Sequence, residues 1–328
     1  MKKRWGFGAA ALLTLALAGC GSSGEEASTE KTGASQGETT TVSAEEKAEA
    51  TTQTLSYLGQ DYTVPANVEN IVAASLEAME DAAILGIKPT GVLQVGGAIP
   101  AYLADDLAGA ELIGDKREPN AESILALSPD VIVGTSKWPE EVAEKMNKIQ
   151  TTIPYSHIST NWKENLTVLA QLGGKVDEAE LIISDYEAKV ADAQSAKEQL
   201  ADKEILIIRI RGGLMYIYPK DVYLNPVLYE DLGAPVPEII TQTEAQAEIT
   251  LETLAEVNPD AIFLQFETSE NADAPKSLEE LQNNPIFASL AAAKNDQVFV
   301  NAIDPLAQGG TAWSKVKFLD AAYENLLQ

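Results

Sequence analysis

From about Leu55 the chain alternates between two patterns of apolar and polar positions. Val68–Ala74, Thr90–Val95, Asp130–Gly134 and Thr152–Ile158 are short runs, apolar on both faces, and they predict strands of a sheet covered on both sides. Glu204–Ile210, Asp260–Leu264 and Gln297–Val300 predict a second set. Helical patterns intervene, so the expected fold class is α/β. The folded part, Leu55–Gln328, is too long for one compact core and predicts two α/β lobes, residues 55–175 and 204–328. Between them, residues 176–203 contain neither Pro nor Gly. Ala179, Ile182, Ile183, Tyr186, Val190, Ala193 and Leu200 fall on one helical stripe there. One connecting helix of roughly 35–40 Å, a rigid strut between the lobes, is the expectation.

Two segments echo each other. Asn120-Ala121-Glu122 and Thr250-Leu251-Glu252 each place a helix N-cap and a first-turn glutamate ahead of a short helix. Pro129-Asp130 and Pro259-Asp260 follow at the same distance, each opening a buried strand. Two lobes built on related plans account for the repetition.

The N-terminus carries a different message. Met1-Lys2-Lys3-Arg4, an apolar run from Trp5 to Ala18, and Gly19 describe a secretory signal over residues 1–19. The run is too short for a comfortable permanent span. Leu17-Ala18-Gly19-Cys20 looks like the lipobox of bacterial lipoproteins, which implies lipidation at Cys20. A diacyl group there supplies two chains, enough for stable anchoring without a transmembrane helix. Cys20 is the sole cysteine, so no intrachain disulfide forms. Residues 20–54 are dominated by Gly, Ser, Thr, Ala, Glu and Lys with no aromatic, and predict a flexible tether. The formal charge of −27 becomes about −30 without Lys2, Lys3 and Arg4, which argues against nucleic acid and against a polybasic membrane patch.

Against that acidic background the arginines stand out. They occur only at positions 4, 117, 209 and 211. Residues two apart on a strand face the same way, so Arg209 and Arg211 point together at the end of an apolar run, before Gly212-Gly213. In open α/β sheets ligands sit outside the carboxyl ends of strands. Leu214, Tyr216 and Tyr218 share a face of the next strand, so two guanidiniums stand beside two tyrosines. That combination suits an anion with an extended, partly apolar body. The competing reading is that the arginines pair with acidic neighbours.

The lipobox, the acidic tether, Tyr62-Thr63-Val64-Pro65 before the first strand, Glu118-Pro119-Asn120 followed by Glu122, the mid-chain helix and the duplicated Glu…Pro-Asp pattern together resemble the substrate-binding lipoproteins of bacterial ABC importers. More narrowly, they resemble the ferric siderophore and vitamin B12 family, over essentially all of Leu55–Gln328. The resemblance implies two α/β lobes joined by a single long helix, the class III substrate-binding arrangement, with limited closure on ligand and no catalysis. It implies a monomer on the outer face of the cell membrane that binds a ferric siderophore and delivers it to a permease dimer with its ATPase. In relatives the loop before Glu-Pro-Asn carries a cationic side chain to the ligand; here Lys116 or Arg117 is the match. Trp138, adjoined by Lys137, corresponds to a place where relatives set an aromatic beside the iron complex. The glutamates matching Glu122 and Glu252, one per lobe, dock into basic pockets of the permease, although first-turn glutamates also stabilise helix dipoles. The loop Ile303–Thr311 lies on the cleft side, and some relatives place arginines there where this sequence has none.

The expected ligand is an anionic siderophore, citrate-derived hydroxycarboxylate or catecholate, gripped by bidentate arginines. The chelator fills the coordination sphere of iron, so no protein metal ligand and no cofactor is expected. His157, the sole histidine, rules out a multi-histidine site and is expected in a surface or supporting role, within reach of the cleft. Heme or cobalamin binding on the same fold stays open. A secreted hydrolase is the rival of another class, but no Gly-x-Ser-x-Gly elbow follows a strand and the Gly-Gly pairs lack phosphate-loop spacing. A lipid-anchored adhesin leaves the arginine clustering unexplained.

Overall fold

The computed structural model describes residues 51–116 and 118–327. The signal sequence, Cys20, nearly all of the expected tether and Arg117 lie outside the described residues. The chain enters through a hairpin, β1 (Thr52–Tyr57) and β2 (Gln60–Pro65), turned at Leu58 and Gly59 with φ of 48° and 79°. Such left-handed pairs match the twist of a two-residue hairpin. Leu55, Tyr57 and Val64 are buried, so regular structure begins at Thr52, three residues before the expected lobe boundary.

The first lobe is a six-stranded sheet in the order β6-β5-β4-β3-β7-β8. Its strands are β3 (Ile71–Ala73), β4 (Gly91–Gln94), β5 (Glu111–Asp115), β6 (Glu118–Pro119), β7 (Val131–Thr135) and β8 (Thr152–Tyr155). All pairings are parallel except β5 with β6. The second lobe is a five-stranded sheet ordered β11-β10-β9-β12-β13. It comprises β9 (Ile205–Arg211), β10 (Leu214–Ile217), β11 (Ala247–Glu248), β12 (Ala261–Phe266) and β13 (Val298–Val300), with a parallel core of β9, β12 and β13. Each apolar run overlaps one of these strands, and β7, β9 and β12 extend one or two residues beyond theirs. The strands without such a run, β5, β6, β10 and β11, are largely exposed or half-buried, or only two residues long.

Helix α1 (Leu76–Leu85) packs on the first sheet, and α2 (Ala121–Ala126) leads into β7. The duplicated motif has a structural job in both lobes. Asn120 caps α2 by accepting from the Glu122 and Ser123 amides at 2.9 and 3.1 Å. Asp130 then accepts from the Glu69 and Asn70 amides at 2.8 Å each, tying the start of β7 to that of β3. In the second lobe Asp260 accepts from the Glu204 amide at 2.9 Å, tying β12 to β9 in the same way. Ser128 and Asn258, each just before the proline, both adopt φ of 48°.

Helices α3 (Trp162–Gly173) and α4 (Val176–Ala193) follow β8. The connecting element is not one continuous α-helix: α4 has 18 residues, about 27 Å, and Gln194–Gln199 tightens into a 3-10 helix. Between Ala193 and Leu200 the apolar stripe of the sequence lapses. A short helix, α5 (Leu251–Val257), precedes β12, and a long one, α6 (Ala312–Leu326), ends the chain. Residues 312–326, expected within the second lobe, pack on α1 and α3 of the first and on α4, while also touching Val227–Asp231 of the second. Among the described residues no helix is long and apolar enough to cross a membrane.

The crossing to α6 is fastened by two adjacent, fully buried carboxylates on α1. Glu80 accepts from the hydroxyls of Tyr102, Thr311 and Ser314 at 2.6, 2.5 and 2.5 Å and from the Gln308 amide at 3.0 Å. Asp81 accepts from the Ala312 amide at 2.8 Å at the start of α6. Burial outweighs these hydrogen bonds and raises the Glu80 pKa to about 7; burial, with the adjacent Glu80, also holds Asp81 well above the usual range. The unfolded chain therefore releases these protons at lower pH than the folded one. The contribution is greatest below the ordinary carboxylate range and declines as pH rises toward 7, by on the order of 3 kcal/mol for Glu80. Between about pH 5 and pH 7.5, calorimetry should show the wild-type Tm falling more than that of Glu80→Gln; parallel declines would mean that Glu80 exchanges no proton in that range.

Candidate functional site

Arg209 and Arg211 lie on β9 with Ile208 and Ile210 buried on the opposite face. Gly212 and Gly213, with φ of 56° and 80°, make the turn into β10. That turn is pinned from the other side of the sheet. The Gly212 amide donates to the Glu270 carbonyl at 3.0 Å, and the Gly213 amide donates to Asn271 Oδ1 at 3.0 Å. Asn271, fully buried, donates in turn to the carbonyls of Ile210 and Glu267 at 3.0 and 2.8 Å. These bonds hold the turn Thr268–Asn271 against the end of β9 and set the Glu270 carboxylate between the two arginines.

Glu270 Oε2 accepts from Arg209 Nε and Nη2 at 3.1 and 2.9 Å, and Oε1 accepts from Arg211 Nη2 at 3.0 Å. A third cation arrives from the first lobe: Lys116 Nζ, on the turn between β5 and β6, donates to Glu270 Oε1 at 2.7 Å. The Arg209 and Glu270 side chains are 6% and 8% exposed. Burial alone pushes the Glu270 carboxyl up, but Arg209, Lys116 and Arg211 together hold it at about 2. Pairing of the arginines with an acidic neighbour and their convergence on a cleft are thus both realised.

The cleft encloses about 440 Å³. Lys116, Lys137, Arg209 and Arg211 all line it, from both lobes, with Tyr218, Tyr223, His157, Gln246 and Gln308 between them. Lys137 follows the carboxyl end of β7 and pairs with Glu77 at 2.6 Å. The Tyr218 and Tyr223 rings lie 5.0 Å apart, and the Arg209 guanidinium stands 5.4 Å over Tyr223. Neither phenol has a hydrogen-bond partner among the described residues. Burial pushes the Tyr223 pKa up, so it remains a neutral O–H at physiological pH. Gly309 lets the loop 303–311 approach closely, since a Cβ there would meet the Tyr223 carbonyl oxygen at 2.4 Å. The lobes also meet through backbone: Ile158 bridges Val222, and the Ser159 amide donates to the Asp221 carbonyl at 2.9 Å.

Of the residues expected in the site, Lys116, Arg209, Arg211 and Tyr218 line the cleft. Arg117 lies outside the described residues. Tyr216, opposite Arg209 in register, is half-buried but is not on the cleft wall, because Tyr218 and Tyr223 on the chain after β10 cover Arg209 instead. Trp138 also misses the main cleft. The turn Thr135–Trp138 lays its ring on Gly134, where a Cβ would stand 2.2 Å away, and it borders an adjoining pocket. Lys137 takes the cleft position beside it. His157, expected in a surface or supporting role, is on the cleft wall; Ser136 Oγ lies 2.8 Å from its Nδ1, and burial, then Lys137, lower its pKa. Glu77, Gln246, Tyr223 and Glu270 escaped the sequence reading, and Lys137 entered it only as the neighbour of Trp138. Lys137 had a signal, a lone cation at a strand's carboxyl end, whereas Glu270 is one acidic residue among 50. Glu122 and Glu252 are both exposed on the first turns of α2 and α5.

The family model described as periplasmic binding protein matches residues 71–302. The iron-uptake system-binding protein of Bacillus subtilis is 45% identical over 319 residues, 97% of this chain and 96% of its own. A probable siderophore-binding lipoprotein of the same organism, YfiY, is 28% identical over 261 residues, 76% of this chain and 80% of its own. Among solved structures, the triscatecholate siderophore binding protein FeuA from Bacillus subtilis, complexed with ferri-bacillibactin, is similar at a TM-score of 0.79 and 48% identity, covering 84% of this chain and 98% of that one.

Proposed function

The chain belongs to the periplasmic binding protein family, whose members serve transporters and are not enzymes, and we propose that it captures an anionic ferric siderophore of the catecholate class. The observation that carries this is the convergence of Lys116 and Lys137 from one lobe with Arg209 and Arg211 from the other on a single cleft. Glu270 and Glu77 pair with these cations and Asp221 and Glu244 also line the wall, so the cleft's feature is a cluster of guanidinium and ammonium donors between the lobes, which suits a compact guest rich in oxygen. Of the two anionic classes expected from sequence, the catecholate is favoured by the likeness to a triscatecholate-binding relative. The tyrosine pair is a second support, because both rings line the cleft and stand 5.0 Å apart, apolar surface suited to an aromatic chelator. Iron is cargo, held by its chelator.

Delivery to an ABC importer follows from the family. The finer reading is that Cys20 carries the lipid anchor at the outer face of the membrane and residues 20–54 tether the lobes. Glu122 and Glu252, exposed at matching steps of the two lobes, then dock onto the permease dimer.

Titration of the detergent-solubilised protein with ferric tris(2,3-dihydroxybenzoate) should quench tryptophan and tyrosine fluorescence saturably, while the iron-free chelator should not. Arg211→Ala and Lys137→Ala should each weaken binding about 10- to 100-fold, as loss of a charge-assisted hydrogen bond does, Arg211→Ala without lowering Tm appreciably and Lys137→Ala with some loss of Tm because the buried Glu77 loses its partner. Unchanged affinity in both would remove the cleft as the binding site. In cells, the double variant Glu122→Ala, Glu252→Ala should bind normally yet import little radioiron; normal import would refute docking through these residues.

A further inference from the structure

We propose that Glu270 is the positioning residue on which the binding site is assembled across the two lobes, ordering Lys116, Arg209 and Arg211 without touching the ligand. The role rests on the receptor reading above and gives Glu270, there only a neutraliser of charge, a part in building the site. Three observations carry it. First, the three cations line the cleft and Glu270 does not, so its carboxylate lies behind them. Second, its own place is fixed by main chain: the Gly212 amide on the Glu270 carbonyl, and Asn271 bonded to Ile210, Gly213 and Glu267. Third, it joins residues distant in sequence and belonging to different lobes, with Lys116 on one side and β9 on the other.

The hydrogen bonds leave donors for a guest. Arg209 commits Nε and Nη2 to Glu270, which leaves Nη1. Arg211 commits Nη2 to Glu270 and spans to Gln246 from Nη1 at 3.3 Å. Lys116 gives Glu270 one of its three hydrogens. Long cationic side chains lose much rotamer freedom when a ligand immobilises them, and a site ordered beforehand avoids that loss at the moment of binding. Three cations on one carboxylate still present net positive charge, so ordering and attraction coexist. In its absence like charges would face each other across the cleft and Lys116 would be free to leave.

Two variants separate position from charge: Glu270→Gln keeps length and removes charge, whereas Glu270→Asp keeps charge and shortens reach. In the ligand-free full-length protein, acetic anhydride labelling read by mass spectrometry should modify Lys116 severalfold faster in both than in wild type. With ferric tris(2,3-dihydroxybenzoate), Kd should rise at least tenfold in both. In a Lys116→Ala background the Glu270→Gln loss should be smaller than in wild type, because part of it acts through Lys116. Unchanged labelling of Lys116 would overturn the proposal, and so would tighter binding by Glu270→Gln, the result expected if the carboxylate only opposed an anion. Failure of wild type to bind the probe would count against the receptor reading, and the labelling would still decide on Glu270.

Discussion

Arg209 is almost wholly removed from water on a central strand of the second sheet, and a guanidinium there must be hydrogen-bonded to an anion. Glu270 meets that requirement from a turn some sixty residues further along the chain. Much else in the cleft follows. The turn has to be fixed, which Asn271 and the Gly212-Gly213 bend do together. The second oxygen of the carboxylate is then available to Arg211 and to a lysine from the opposite lobe. One desolvated charge thereby dictates a turn, a glycine pair and a link between lobes.

An acidic protein can hold a basic cleft because field is local. At physiological ionic strength, charges beyond about 8 Å are largely screened, so the formal −27 spread over the surface barely opposes four cations at one spot. Distant surface carboxylates leave the local balance to the cleft's own acids, Glu270, Glu77, Asp221 and Glu244.

What the sequence made legible was local. Apolar runs located the strands because burial on both faces leaves few polar positions, and period-two geometry correctly put Arg209 and Arg211 on one wall. The Glu…Pro-Asp echo was visible as spacing, though its structural half, an aspartate stapling two strand starts, needed coordinates. What stayed hidden was non-local. Nothing in Thr268-Ser269-Glu270-Asn271 distinguishes it from other acidic loops until β9 and β12 are set side by side. Tyr216 and Trp138 do not stand on the same wall as Arg209, for a related reason. Alternation and resemblance suggest a direction, but a following loop or a glycine decides which neighbour reaches the cleft.

The lobes are joined at two carboxylate hubs that obey opposite electrostatics. Glu80 is surrounded by hydroxyls and an amide, so burial dominates and the proton is held to about pH 7. Glu270 is similarly hidden but meets three cations, and its proton is lost near pH 2. Hydroxyls can donate to a carboxylate or accept from a carboxylic acid, so the Glu80 hub keeps partners in either protonation state. The Glu270 hub needs the ionised form, because cations offer only donors. Where pH varies, the cleft-side link is constant down to strongly acid conditions, while the link under α6 is the one that senses neutrality. The Glu270 cluster is therefore buffered against protonation, whereas the proton-sensitive Glu80 hub reaches the cleft through Gln308.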